Sequence, residues 1–266
     1  VTHPREDRHV GAIFASTLGS IAATTAEPPQ AFGLDPAART DIERDNKLVS
    51  RVVKYATGVL ALDPPPMLWL DQGDGLRVAN TTDKGRLAPS LLVGPSHQQK
   101  SDERELAFEV GKRLAYLRPE RFVTFALQTL PKIENAFTAS LVAANATTNE
   151  VQVSDDARKL GVSMQKTVPG AHLEQVAALA HKLGSRLGNG LVTGWRSATD
   201  LTANRVGLIL ANDLESAAKA IATETASTSG LPVKERLRDL LAYSASESYF
   251  AVRRHLGLTV RAEASA

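Results

Sequence analysis

The stretch that decides the fold reads SDERELAFEVGKRLAYLRP, from Ser101 to Pro119. Ser101 or Asp102 can cap a helix N-terminus, and the acidic residues that follow suit the positive end of the helix dipole. The apolar side chains recur at helical spacing and form one stripe, made of Leu106, Val110, Leu114 and Leu117. Pro119 ends the helix because a residue before proline is displaced from the α region. An amphipathic helix with one buried face is therefore predicted.

A helix and several short strands are predicted before this stretch. The pattern from Pro36 to Leu62 is helical, and the prolines at 64–66 end it. Strand character follows in three runs separated by Gly- and Asp-rich turns, at 67–70, 76–80 and 90–93. Nearer the start, residues 10–21 fit a strand or a short helix, and residues 24–35 are typical of a loop.

Beyond Pro119 the pattern is helical almost to the end of the chain. Helices are predicted at 120–130, 132–144, 155–160, 168–187, 197–211, 213–223, 232–243 and 246–256. The most linker-like stretch among them is 226–230. The predicted fold class is α+β, predominantly α-helical, with a small β-sheet.

The composition is that of an ordinary globular protein, with 43% hydrophobic and 23% charged residues. Basic and acidic residues nearly balance at 31 and 29, without a long basic block, so no nucleic-acid partner is expected. The absence of cysteine excludes disulfides and thiolate metal sites. No run of about 18 apolar residues occurs, so no membrane insertion of this chain is expected.

Two stretches together resemble the CAAX-prenyl-protease and HtpX type of zinc metallopeptidase. Residues 105–111 read ELAFEVG, and in that family a similar lead-in runs into an H-E-x-x-H motif, which supplies two zinc ligands and a general base. Residues 199–208 read TDLTANRVGL, which is similar to the family helix that carries the third ligand. The resemblance places Asp200 at that ligand position and Asn204 at the position of a second acidic residue.

The resemblance also implies that the zinc site is degenerate. Lys112, Arg113 and Tyr116 stand where the family has histidine, glutamate and histidine. A protonated lysine cannot bind a metal ion, and arginine cannot act as a base because it keeps its proton in proteins. The histidines all lie outside the two motif helices, at His3, His9, His97, His172, His181 and His255. We therefore predict no catalytic residue, no metal and no cofactor.

An ion pair is the expected replacement for the metal. Lys112 and Tyr116 are four residues apart and share one helix face, opposite Asp200 on the resemblance. We expect a Lys112–Asp200 ion pair with the Tyr116 hydroxyl nearby, linking the two helices that zinc would bridge. The alternatives are that Lys112 and Arg113 are solvated and that Asp200 only interacts with the dipole at its helix N-terminus.

A peptide-binding strand is a further implication of the resemblance. In the family, the strand before the active-site helix is a sheet edge that takes an extended substrate. The corresponding candidate peptide-binding edge consists of Leu91, Leu92, Val93 and Gly94. Such an edge keeps its main-chain donors and acceptors when catalysis is lost, although a protein's own loops often cover sheet edges.

The resemblance implies a zincin-like domain over residues 35–258, with an N-terminal arm at 1–34 that packs on the domain and a C-terminal tail at 259–266. His3, Asp7 and His9 could bind a metal, but a solvated terminal arm is the more ordinary interpretation. The implied function is an inactive metallopeptidase-like domain that binds or scaffolds a protein or peptide partner. One alternative is an active hydrolase that uses Lys112, Tyr116 and Asp200 as acid–base groups, and another is a purely structural domain.

The chain begins with Val1 rather than methionine, so we expect a fragment or a processed chain. The resemblance implies that it is part of a larger multidomain protein. Cytoplasmic localisation is expected, with the periplasm as the alternative, because a cysteine-free chain suits both compartments. The sequence leaves the identity of the partner and the oligomeric state open.

Overall fold

The computed structural model describes residues 1–70, 72–188, 190–224 and 227–258. Helices make up 61% of it and strands 7%, and the strands form a small mixed sheet and a hairpin. The predicted fold class, α+β and predominantly α-helical, is therefore confirmed. The predicted tail at 259–266 lies outside the described residues.

Helices precede and follow one short stretch that contains the strands. The α-helices are α1 Arg8–Ala22, α2 Leu48–Val59, α3 Pro95–Gln98, α4 Glu103–Leu114, α5 Val123–Leu127, α6 Leu130–Ala143, α7 Asp155–Thr167, α8 Gly170–Leu183, α9 Leu191–Ala211, α10 Leu214–Thr223, α11 Val233–Ser244 and α12 Glu247–His255. The strands are β1 Met67–Leu70, β2 Leu76–Ala79, β3 Thr82–Asp83, β4 Arg86–Leu87 and β5 Ser90–Val93. Short 3₁₀ turns lie at Pro29–Phe32, Pro36–Ala38, Ala115–Leu117 and Gly184–Arg186.

The main sheet has the order β1-β5-β2, so β5 is its central strand. β5 runs parallel to β1 and antiparallel to β2, with Leu91 opposite Leu68 on one side and Val78 on the other. All of β5 is buried, as expected for a continuous apolar run. The three predicted strands are thus present, close to their predicted bounds.

The central position of β5 makes one prediction wrong. Leu91, Leu92, Val93 and Gly94 do not form a free edge, because β5 pairs along both sides and Gly94 N–H donates to the carbonyl of Gly75 at 2.8 Å. The outer strands of this sheet are β1 and β2. Thr40 N–H donates to the β1 carbonyl of Leu68 at 2.9 Å, and beside the end of β2 Glu27 N–H donates to the carbonyl of Asn80 at 3.2 Å.

Helices α4 and α9 cross at the centre of the molecule. A Cβ atom built on Gly207 would lie 2.7 Å from the carbonyl oxygen of Phe108, and one built on Gly111 would lie 2.5 Å from Leu210 Cδ1. Glycines at these positions therefore allow the two backbones to approach closely. Helix α9 is buried continuously from Ala198 to Ala211, which makes it the central element of the core.

Separate apolar groups surround this crossing. Helices α1 and α5–α8 pack around the start of α9, where the Phe14 ring lies 4.8 Å from that of Trp195. Helix α2 and the main sheet cover one side of α4, and α10–α12 pack against Phe108 and the end of α9.

In the described residues, no helix combines the length and the apolar character needed to cross a membrane.

The start of the chain belongs to the folded core, so the predicted solvated arm is wrong. Residues 10–21, left open between strand and helix, lie in α1, whose N-terminus is capped by the Asp7 carboxylate. His3 and Glu6 are buried. His3 Nε2 lies 3.2 Å from an oxygen of Asp239, and Glu6 Oε1 lies 2.7 Å from Arg121 Nε. These contacts fasten the segment to α11 and to the turn after α4.

Several predicted helix bounds also need correction. The helix predicted at 36–62 is α-helical only in α2, and the helix predicted at 120–130 shrinks to α5. Helix α7 is longer than predicted, and α9 begins at Leu191 instead of 197. The hairpin of β3 and β4 was not predicted.

Candidate functional site

Helix α4 positions the first group of candidate residues. Its N-terminus is fixed by Asp102, whose carboxylate accepts hydrogen bonds from the N–H groups of Arg104 and Glu105, both at 3.0 Å. The helix ends at Leu114 and continues as a 3₁₀ turn that contains Tyr116. The side chains of Lys112 and Tyr116 therefore point in the same direction, towards α9.

The predicted ion pair across the crossing is confirmed. Lys112 Nζ lies 3.5 Å from Asp200 Oδ1, and the two side chains are 2% and 0% exposed. The Tyr116 hydroxyl donates to the same oxygen at 3.2 Å. The solvated alternative is wrong for Lys112, and Asp200 lies well inside α9 and not at its N-terminus. Arg113 is partly buried, with 22% of its side chain exposed.

Glu224, which sequence reasoning missed, is the closer partner of Lys112. It follows the last residue of α10, and its Oε2 lies 2.7 Å from Lys112 Nζ. Glu224 also accepts hydrogen bonds from Arg113, at 3.2 Å, and from Arg236, which is 2% exposed. We call this group the ionic cluster. Its members are Lys112, Arg113, Asp200, Glu224 and Arg236.

The second carboxylate oxygen of Asp200 is also bonded. Ser229 donates to Asp200 Oδ2 at 2.7 Å, so Asp200 accepts from Tyr116 on one side and from Ser229 on the other. Ser229 comes from the stretch predicted to be linker-like, of which residue 226 lies outside the described residues. Residues 227–230 therefore lie close to the site. The spacing of their polar side chains in the sequence did not predict this position.

The electrostatics of the cluster follow from its burial and its charges. Burial by itself raises the pKa of the Glu224 carboxyl, but Lys112, Arg113 and Arg236 outweigh it and lower that pKa below the ordinary 4.5. Burial lowers the pKa of the Lys112 ammonium from 10.5, against the opposing attraction of Asp200 and Glu224. Burial and the Asp200 charge raise the pKa of Tyr116 well above 10.0. Tyr116 therefore remains a neutral donor at physiological pH.

The arrangement offers little unused chemistry. The ammonium of Lys112 lies between two carboxylates, and the hydroxyl of Tyr116 is fully buried and already donates to Asp200. A general base needs a free acceptor within reach of a substrate proton. The cluster is organised instead as a set of paired charges that joins α4, α9, α10 and α11.

Asn204 lies one turn beyond Asp200 and stays outside the cluster. It is 0% exposed, and neither Oδ1 nor Nδ2 has a hydrogen-bond partner in the described residues. Within the described part of the chain, no group of three or more His, Cys, Asp and Glu side chains could hold a metal ion. Near the start of the chain, His3 pairs with Asp239 and His9 with Asp7.

Two cavities adjoin the cluster. One, of about 410 Å³, is lined by Lys112, Arg113 and Glu224, together with the pair His97 and Glu109, whose Nε2 and Oε2 atoms are 3.1 Å apart. The other, of about 630 Å³, runs along β2 and is also lined by Arg113. We call the second cavity the β2 groove.

No protein-family model matches the sequence, and comparisons with curated proteins and with solved structures give no significant match.

The lowered pKa of Glu224 predicts acid sensitivity. Its ionised form stabilises the fold fully above about pH 4.5, and that contribution is lost as the pH falls through the lower pKa of the folded state. We expect the free energy of unfolding, measured with urea, to fall between about pH 5 and pH 3, and to fall less steeply in Glu224→Gln. Glu174→Gln, at an exposed position of α8, is the matched control and should keep the wild-type slope. Equal slopes in all three proteins would contradict the prediction.

Proposed function

We propose that this chain is a catalytically inactive, zincin-like metallopeptidase domain that works as a protein-binding or scaffolding module of a larger protein. The observation that carries the proposal is the convergence of Lys112, Tyr116 and Asp200, the positions that the resemblance assigns to zinc ligands. A lysine, a phenol and a carboxylate meet where the family has two imidazoles and a carboxylate. Their contacts replace the metal as the link between α4 and α9.

The alternative of a non-metal hydrolase is less well supported. That activity needs a substrate to reach an acid or base group of the site. Asp200 and Tyr116 are both 0% exposed, and the Lys112 ammonium, at 2%, is held by Asp200 and Glu224. A substrate would have to break the ionic cluster before any of the three groups could act on it.

The β2 groove supports the binding role. It is the larger of the two cavities beside the cluster, and it follows an outer strand of the main sheet. An extended segment can add to such a strand through main-chain hydrogen bonds, which need no catalytic residue. Loss of the metal therefore leaves a binding function intact.

Metal removal is the first test. We expect the purified protein to contain less than a stoichiometric amount of zinc by elemental analysis, and its melting temperature to be the same with EDTA and with added zinc. A ligand that binds only the folded state would raise the melting temperature. Stoichiometric zinc, or cleavage of a peptide library that EDTA abolishes, would contradict the proposal.

A grafted zinc site tests the equivalence of positions. Lys112→His combined with Tyr116→His places two imidazoles beside Asp200, and we expect this variant to bind zinc in a 1:1 complex by isothermal titration. Lys159→His with Ser163→His is the matched control, because it makes the same i, i+4 pair on exposed positions of α7. If the graft retains its helical circular dichroism but binds zinc no more tightly than the control, the proposed kinship with metallopeptidases is wrong.

A further inference from the structure

The β2 groove is strongly cationic. Its charged lining residues are Arg77, Arg113, Lys132 and Arg196, and no Asp or Glu is among the described residues that line it. The chain as a whole is nearly balanced, with a net charge of +2, so this groove is an exception to the average surface. A concave surface lined by charges of one sign concentrates ligands of the opposite sign.

Among the described residues, most of this charge has no acidic partner. Arg113 is ion-paired, with Glu224. Arg77 and Arg196 donate to main-chain carbonyls, those of Gln72 at 3.1 Å and Gln128 at 3.2 Å. Lys132 makes no ion pair with any described residue. A carboxylate that entered the groove would therefore meet cations for which the described part of the chain supplies no acidic partner.

Unpaired buried polar atoms also gather in the lining. Asn80 and Thr124 are 6% and 1% exposed, yet Asn80 Oδ1 and Thr124 Oγ1 have no hydrogen-bond partner in the described residues. The buried Nε of Arg196 is unpaired as well. Most buried polar groups in native proteins have a partner, so three exceptions in one lining make the walls of this groove unusually polar.

The main chain of β2 adds a donor and an acceptor for which the described residues supply no partner. Gly94 N–H donates to Gly75 across the β2–β5 pair, and antiparallel pairing then alternates, so residues 76, 78 and 80 turn outward. Two outward carbonyls are occupied, that of Leu76 by Arg113 Nε at 3.2 Å and that of Asn80 by Glu27 N–H at 3.2 Å. Between them, Val78 lines the groove and directs its N–H and C=O away from β5.

We propose that the β2 groove binds an extended peptide segment that carries acidic side chains. The main chain of the peptide pairs with Val78, and its carboxylates lie near Arg113, Lys132 and Arg196. Phe125 and Leu127 in the same lining contact its apolar side chains. The inference builds on the binding role proposed above and names the chemistry of the partner, but it does not depend on kinship with metallopeptidases.

The direct test is a binding titration with a fluorescein-labelled peptide that alternates valine and glutamate, followed by anisotropy. We expect saturable binding that weakens as salt is added, and at least tenfold weaker binding of the same peptide with glutamine in place of glutamate. An otherwise identical peptide that is N-methylated along one edge should also bind more weakly, because it cannot donate to the Val78 carbonyl. Equal affinity for the glutamate and glutamine peptides, or no binding of either, would overturn the inference.

Matched variants locate the site. Lys132→Gln combined with Arg196→Gln should lower the affinity for the glutamate peptide at least tenfold. Arg158→Gln with Lys159→Gln removes the same charge from exposed positions of α7, outside the groove, and should leave the affinity unchanged. An equal loss of peptide affinity in both double variants would show that net charge alone attracts the peptide. Complete displacement of the peptide by citrate, with no effect of N-methylation on its affinity, would show that the groove is a small-anion site. Both results would overturn the peptide assignment, whereas the zinc graft tests the metallopeptidase kinship independently.

Discussion

Replacing Lys112 by alanine is expected to lower the free energy of unfolding by about 3–5 kcal/mol. Lys112 is the cation within ion-pair distance of Asp200, which is 0% exposed. Its removal leaves a buried carboxylate whose remaining side-chain donors, among the described residues, are the hydroxyls of Tyr116 and Ser229, and a buried charge without its partner is costly. Urea unfolding at neutral pH, followed by circular dichroism, measures the change.

Three further variants separate charge from packing. Lys159→Ala, on the exposed face of α7, should change the stability by less than about 0.5 kcal/mol. Lys112→Met keeps most of the side-chain volume, so its loss of stability reports mainly the missing charge. Lys112→Met with Asp200→Leu should be more stable than Lys112→Met alone, because it removes the unpaired carboxylate. A Lys112→Ala protein as stable as the Lys159→Ala control would contradict the proposed role of the ion pair.

Replacing Gly207 by alanine is expected to lower the stability by about 1–3 kcal/mol, the range typical of overpacking. The new Cβ would lie 2.7 Å from the carbonyl oxygen of Phe108 and 2.8 Å from Phe108 Cδ2. The carbonyl belongs to the backbone of α4, so relief requires the two helices to move apart. That movement would also lengthen the 3.5 Å contact between Lys112 and Asp200. Urea unfolding again gives the magnitude.

The same helix provides the control for this substitution. Gly194 also lies in α9, but a Cβ atom there would meet nothing within 4 Å. Gly194→Ala should therefore raise the stability by about 0.4–1 kcal/mol, because alanine restricts the unfolded chain. Opposite signs at the two glycines are the expected result. Equal effects at both positions would mean that α4 and α9 do not cross as closely as described.

The sequence predicted the elements with strong local signals. The N-cap Asp102, the apolar stripe and Pro119 identified α4 and the turn that follows it, and the continuous apolar run of β5 identified a strand. The Lys112–Asp200 pair could be predicted because each residue sits in a recognisable pattern. The contact of Glu224 with Lys112 could not be predicted, because it depends on how the end of α10 approaches α4. No sequence spacing relates these two residues.

The remaining errors have tertiary causes. The helical pattern from residue 36 fails before α2 because Asp41 bonds the N–H of Glu43 at 3.0 Å and Thr40 pairs with Leu68 of β1. Side-chain bonds of this kind compete with helix formation. The error at β5 has a different origin, since a strand's neighbours in a sheet cannot be derived from its own residues. Its burial on both faces was visible in the apolar run, but its pairing on both edges was not.

The place of β5 also bears on how the nascent chain assembles during translation. β1 and β2 leave the ribosome before β5. They do not pair with each other, so the main sheet forms when β5 is available to pair with both. A chain that stops before Ser90 therefore carries two unmatched strands, the kind of intermediate that aggregates or engages chaperones. Shortened forms of this protein made for expression need to extend through Val93 before the sheet can close.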